Sequence, residues 1–175
     1  KMSPTRTITV EKQALAPAKE VADAKPGLNM KMTYGYYLNV EELAKATEWT
    51  EKTIEKLRDI RSQEPTWENM RGVKYYSAIA TGYVEIPEDG VYYISSENEE
   101  VWIDGKLLVN NGGEVKRYSR KDSSMALAKG KHEIKVVFLS HIIGGWPSAW
   151  NDGSVKLRKA DAEKFTPIKA EQLFH

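Results

Sequence analysis

The chain has 175 residues, 26 Lys and Arg against 25 Asp and Glu, a net charge of +1, and no cysteine. That balance leaves no clustered basic footprint for a nucleic-acid partner, and no apolar run approaches the ~20 residues of a membrane-spanning helix, which excludes membrane insertion by helices. Disulfides, thiolate metal sites and cysteine nucleophiles are excluded together, and one domain of this length, burying roughly 70% of its extended-chain surface, stands without them.

Residues 1–10, "KMSPTRTITV", alternate Thr5, Thr7 and Thr9 with Arg6, Ile8 and Val10, a strand pattern. The following Ala-, Lys- and Pro-rich stretch reads as a linker or extended strap over 11–25. A lone strand before a linker lacks a partner, so 1–10 are expected to be the terminal strand of a preceding domain. The start at Lys1 rather than Met agrees with a piece cut from a longer protein.

The main unit is expected over 26–175. "LNMKMTYGYYL" alternates Leu28, Met30 and Met32 with polar neighbours, as a half-buried strand does. In "NVEELAKATEWTEKTIEKLRDIRS" the apolar stripe is thin, which predicts a short helix at 40–46 rather than a long one. From Arg71 onward the pattern is β: "GVKYYSAIATGYVEIP", a turn at Glu88-Asp89-Gly90, then "VYYISSENEEVWI" as a further strand. Asp104-Gly105 is a strong hairpin signal, and "SMALAKGKHEIKVVFL" supplies two more strands bent at Gly130. Strands joined by short turns without intervening helices predict an all-β antiparallel sandwich or barrel with one or two short helices.

The stretch "TGYVEIPEDGVYYISSENEEVWIDGKLLVNNGGE" followed by "SMALAKGKHEIKVVFL" resembles a PA14 domain: a Pro-x-x-Gly turn, an aromatic strand, an "IDGK" hairpin and a Leu-x-x-Gly-x-His strand pair. "PGLNMKMTYGYYLNVEEL" resembles that family's first strand and loop, and "FTPIKAEQLF" its last strand region, so the resemblance spans about 26–174. It implies an antiparallel sandwich of PA14 type, and an extended segment at Thr53–Ile60, where the β-branched Thr53 and Ile54 agree. "KMSPTRTITV" resembles the final strand of the small β domain that follows the catalytic barrel in bacterial β-N-acetylhexosaminidases of glycoside hydrolase family 20. Together the two resemblances imply a non-catalytic C-terminal module of a periplasmic, cell-surface or secreted glycosidase. Its partners would be an N-acetylhexosamine-containing glycan and the catalytic domain of the parent enzyme.

Sugar-binding members of the family place two consecutive aspartates just before the hairpin and hold Ca²⁺ with them and a neighbouring asparagine. The corresponding place here reads Ser96-Glu97-Asn98. A carboxylate one methylene longer, beside an amide, offers less charge and looser geometry to a cation that takes about six to eight oxygens. No tight Ca²⁺, other metal or cofactor is therefore expected, and Glu97, Glu99 and Glu100 read mainly as the solvated approach to a hairpin. A ligand surface, where there is one, would join Glu97 and Asn98 to the loop "IIGGWPSAWNDGS". There Trp146 and Trp150 would stack on sugar rings while Asn151 and Asp152 bond hydroxyls; the plain alternative is that both rings plug the sandwich end. Trp102 reads as core or half-buried sheet, and His132 and His141 lack a third ligand at metal spacing. No residue pattern supports catalysis. Three functions stay open: carbohydrate-binding or substrate-orienting module, purely structural module packed on the catalytic domain, and calcium-dependent lectin or adhesin domain.

Overall fold

A computed structural model describes residues 13–61, 75–111, 121–139, 142–143, 146–147 and 152–175, with backbone alone at 121–122, 142–143 and 146–147. The expected strand at 1–10 lies outside these residues, as do Trp150, Asn151 and His141.

The alternation at the start of the main unit becomes β1 (Leu28–Tyr34), with Leu28, Met30 and Met32 buried and Asn29 and Lys31 exposed. β2 (Thr50–Ile54) pairs with it. The other long strands are β3 (Tyr76–Ile86), β4 (Gly90–Ser96), β5 (Glu100–Ile103), β6 (Lys106–Asn110), β7 (Lys121–Leu127) and β8 (Gly130–Leu139). Short pieces follow: β9 (Ile142–Ile143), β10 (Trp146–Pro147), β11 (Val155–Lys159), β12 (Thr166–Pro167) and β13 (Leu173–Phe174). A seven-stranded sheet runs β2-β1-β3-β8-β5-β6 with β13 also on β3, and a four-stranded sheet runs β12-β11-β4-β7. Every pairing among these strands is antiparallel.

Between the sheets lies the main core. Met30, Ala80, Val101, Val136 and Phe138 come from the larger sheet, and Tyr92, Ile94, Val155 and Leu157 from the smaller. Tyr76 packs edge-on against Phe138, centroids 5.2 Å apart, and its hydroxyl donates to the Ile60 carbonyl at 3.1 Å, which satisfies the one polar atom of a fully buried ring. At Gly82 a Cβ would stand 2.3 Å from the Phe174 carbonyl oxygen, so the missing side chain is what lets β13 approach β3. The Asp104-Gly105 hairpin forms as expected: φ is +47° and +74°, the left-handed pair of a two-residue turn that matches strand twist.

Three segments differ from the pattern reading. The helix is shorter than 40–46: α1 covers Val40–Leu43, with the Asn39 side chain accepting from the Glu42 amide at 2.8 Å and only Leu43 fully buried. Leu43, with Tyr37, Val40, Ala46 and Trp49, covers Ile79, Val137 and Leu139 on the outer face of the larger sheet. The extended segment at Thr53–Ile60 stops at Ile54. Leu57–Arg61 is a 3₁₀ turn, because Leu57 and Ile60, three apart on one face, are both buried, and Arg61 is carried inward with them. Finally, "VYYISSENEEVWI" is two strands. The chain leaves the smaller sheet at Ser96 and enters the larger at Glu100, so residues 97–99 cross from one sheet to the other.

Residues 13–26 lie against the sandwich. Ala16 bridges to Leu127 beside β7, Lys19 to Lys131 in β8, and Pro26 to Phe174 in β13. Lys25 and His175 exchange both backbone hydrogen bonds at 2.8 Å.

Candidate functional site

Because residues 97–99 cross between sheets, they are enclosed rather than solvated: Glu97 is 8% exposed, Asn98 0% and Glu99 3%. The expectation of a wet hairpin edge is thus corrected. Its reason is tertiary, since Arg61 from the 3₁₀ turn, Gly153 and Asn111 all close on the crossing. A buried backbone here must find partners, and Asn98 supplies several. Its amide nitrogen donates to the Gly153 carbonyl at 2.9 Å and to Ser96 Oγ at 3.1 Å, and its Oδ1 accepts from Arg61 Nε at 3.0 Å. Asn111 reaches in from beyond β6 and donates to the Asn98 carbonyl.

Arg61 is the charge at the centre of this network, 4% exposed. Its guanidinium also donates to the Glu97 carbonyl and lies 4.8 Å from the Phe138 ring centroid. Burial pushes its pKa down to about 10, against the opposing pull of Glu97, Tyr76, Asp152 and Glu99. It stays a cation at neutral pH, held by carboxylates and carbonyls of the same loop end.

The donor set does not fit calcium. Asn98 Oδ1 and the Glu97 carbonyl are committed to Arg61, and Asp152, in the crevice beside Ser96 and Glu97, is committed to Lys156. Among the described residues no group of three or more His, Asp or Glu is placed to hold a metal ion.

The strand end and Asp152 do meet, at that crevice. Asp152 binds Lys156 at 2.7 Å and accepts from the Ser154 amide at 3.0 Å. Partial burial pushes its carboxyl upward, but the Lys156 ammonium and the Ser154 donors outweigh this and hold it well below the usual carboxylate range. Trp146 sits in β10, paired with Ile143; its side chain lies outside the described residues, as do Trp150 and Asn151 entirely. His132 is an interior histidine with a partner at each ring nitrogen: Nδ1 is 2.6 Å from Asp104 Oδ2 and Nε2 2.8 Å from the Ala128 carbonyl.

A second region was not singled out by sequence reasoning. Strand register places Asn29, Thr81, Lys135 and Trp102 side by side in one row across the larger sheet. These residues, with Tyr83 and Glu133 in the neighbouring row, line an open groove of about 510 Å³. Trp102 is half-buried; its indole nitrogen donates to Glu100 Oε2 at 2.8 Å, and Lys135 Nζ stands 4.0 Å from the ring centroid. The outward-pointing members of β1, β3, β5 and β8 were the available signal, but only register shows that they meet.

The sequence matches the PA14 domain family over residues 24–169. It is 44% identical over 174 residues, 99% of this chain, to a protein of Porphyromonas gingivalis (strain ATCC BAA-308 / W83) named Beta-hexosaminidase, and spans 22% of that relative's length. Among solved structures it superposes on the PA14 domain of the antifreeze protein MpAFP with a TM-score of 0.54 at 13% identity, covering 89% of this chain and 94% of that one. It superposes equally, TM-score 0.54 at 9% identity, on the Epithelial Adhesin 9 A domain of Candida glabrata in complex with Galβ1-3GlcNAc, covering 90% and 92%. Identities this low carry the fold alone.

Proposed function

Since the chain belongs to the PA14 domain family, we propose that it is a non-catalytic accessory module of a secreted, periplasmic or cell-surface glycoside hydrolase of β-hexosaminidase type, and that it binds carbohydrate or orients substrate. The observation that carries this reading is the identity of 44% over 174 residues with a segment amounting to 22% of a Beta-hexosaminidase. An N-acetylhexosamine-containing glycan is the partner class that an enzyme of that name brings, and the adhesin relative of the same fold holds Galβ1-3GlcNAc. A calcium-dependent mode is not part of this reading, because Arg61 occupies the loop end with a cation of the protein's own.

One observation favours a second reading, a structural module that packs on the catalytic domain: residues 13–26 are bound along the sandwich instead of hanging free. A glycan array probed with this chain, with and without EDTA, separates the readings. Binding that survives EDTA is the expected result. Binding abolished by EDTA would make the module a calcium-dependent adhesin domain. No binding, together with a less stable catalytic domain when the module is deleted from the full-length enzyme, would leave only the structural role.

A further inference from the structure

We propose that the open groove on the outer face of the seven-stranded sheet is the module's sugar-binding site, and that it takes a neutral oligosaccharide without a metal. The proposal rests on the carbohydrate-binding reading above and names the surface and ligand charge that reading leaves open.

The outer face of this sheet is divided. One part is covered by the α1 segment, where Leu43, Tyr37 and Trp49 seal Ile79, Val137 and Leu139. The uncovered part has a different chemistry. Trp102 and Tyr83 supply aromatic surface, and Asn29, Thr81, Glu133 and Lys135 supply donors and acceptors beside it. A stable protein–protein interface has an apolar core ringed by polar groups. Here polar side chains stand between the two rings, which is what a sugar needs: apolar ring faces against aromatics, hydroxyls against flanking polar groups.

Charge indicates what kind of sugar. His175 lines the groove's edge, and two carboxylates, Glu133 within it and Glu100 beside it, face two ammoniums, Lys135 within it and Lys19 beside it. Each is engaged within the protein: Glu100 with the Trp102 indole, Lys135 over the Trp102 ring, and Lys19 with Glu133 at 2.6 Å. The field is balanced, so neither a polyanionic nor a cationic chain is selected, and a neutral or N-acetylated one is accommodated.

Size and order agree. Neighbouring strands are ~4.8 Å apart, so the row from Asn29 to Trp102 extends roughly 14 Å, the length of a short oligosaccharide lying across the strands. The Glu100 bond fixes the indole before any ligand arrives, which reduces the entropy lost on binding. The site stands on strands rather than loops, with Trp102, Lys135, Thr81 and Asn29 held in register.

The test is isothermal titration of this chain with N-acetylchitotriose, Galβ1-3GlcNAc and lactose, in EDTA throughout. Wild type should bind at least one of the three. Trp102→Ala should weaken that binding about tenfold or more, and the exposed pair Asn29→Ala/Thr81→Ala should weaken it severalfold with its melting temperature unchanged. This second variant guards against a Trp102→Ala chain that fails to fold. Equal binding by wild type and both variants would overturn the groove while leaving a carbohydrate-binding module with its site elsewhere. Absence of binding by wild type to all three sugars and to a full glycan array would overturn the groove and the carbohydrate reading together.

Discussion

Replacing Arg61 is the sharpest probe of the loop end. The side chain is 4% exposed and donates to Asn98 Oδ1 at 3.0 Å and to the Glu97 carbonyl, with its stem and fork packed by Phe138 and Gly153. Arg61→Ala removes the cation but leaves those acceptors, and the charges of Glu97 and Glu99, inside the protein. Breaking a buried ionic network from one side costs about 3–5 kcal/mol. For a chain of this size that is a fall in melting temperature of roughly 6–20 °C. Arg61→Lys keeps the charge and loses the planar fork, so about half the loss is expected. Urea denaturation of wild type, both variants, Asn98→Ala and the Arg61→Ala/Asn98→Ala double variant closes the cycle, with a coupling of ~1 kcal/mol or more between two residues in direct contact. A loss within ~1 kcal/mol for Arg61→Ala, with additive double-variant behaviour, would refute the claim that this guanidinium organises the crossing. Adding CaCl₂ to wild type should leave the melting curve where it was.

Three further outcomes follow from described contacts. Gly153→Ala would bring a Cβ to 2.9 Å and 3.0 Å from the Arg61 side chain and 3.2 Å from the Arg58 carbonyl, and should cost about 1–3 kcal/mol by chemical denaturation. Asp104→Ala removes the acceptor for the buried His132 Nδ1 and for the Glu133 amide, so a loss of about 1–3 kcal/mol is expected, read by thermal melts. Asp152 is held below its ordinary value of 3.8 in the fold, so its ionised form stabilises the protein above pH ~4, and that contribution disappears as the pH falls through the folded value. Asp152→Asn should therefore flatten the acid limb of a stability-against-pH curve and leave the slope above pH 6 unchanged.

What the sequence makes legible depends on the range of the interaction. Leu28, Met30 and Met32 alternate because one face is buried, and Asp104-Gly105 marks a turn because positive φ restricts residue choice; both are local constraints, and both appear as read. Arg61 and Asn98 are 37 positions apart. Nothing in "SSENEE" indicates that a guanidinium will arrive from a 3₁₀ turn, and without it three polar residues beside a turn look wet. The groove is hidden for a related reason. Asn29, Thr81, Lys135 and Trp102 are unremarkable one by one, and become neighbours through three separate strand registers. The loop at 142–154 was legible as aromatic and Gly-rich, and of its candidate residues Trp146, Trp150, Asn151 and Asp152 only Asp152 has a described side chain.

Residues 13–26 bear on how far the module can reach. A free segment the length of 13–25 would let its ends wander over about 20 Å, and a tethered module on it would sweep many positions. Bridged at Ala16, Lys19 and Pro26, this segment has no such slack. Its local contribution is closer to a bracket than to a leash: anything held in the groove stands at a set distance and angle from residue 13. The effective concentration of that ligand at a neighbouring site is then either high or nearly nil, with little in between, according to whether the bracket points the right way.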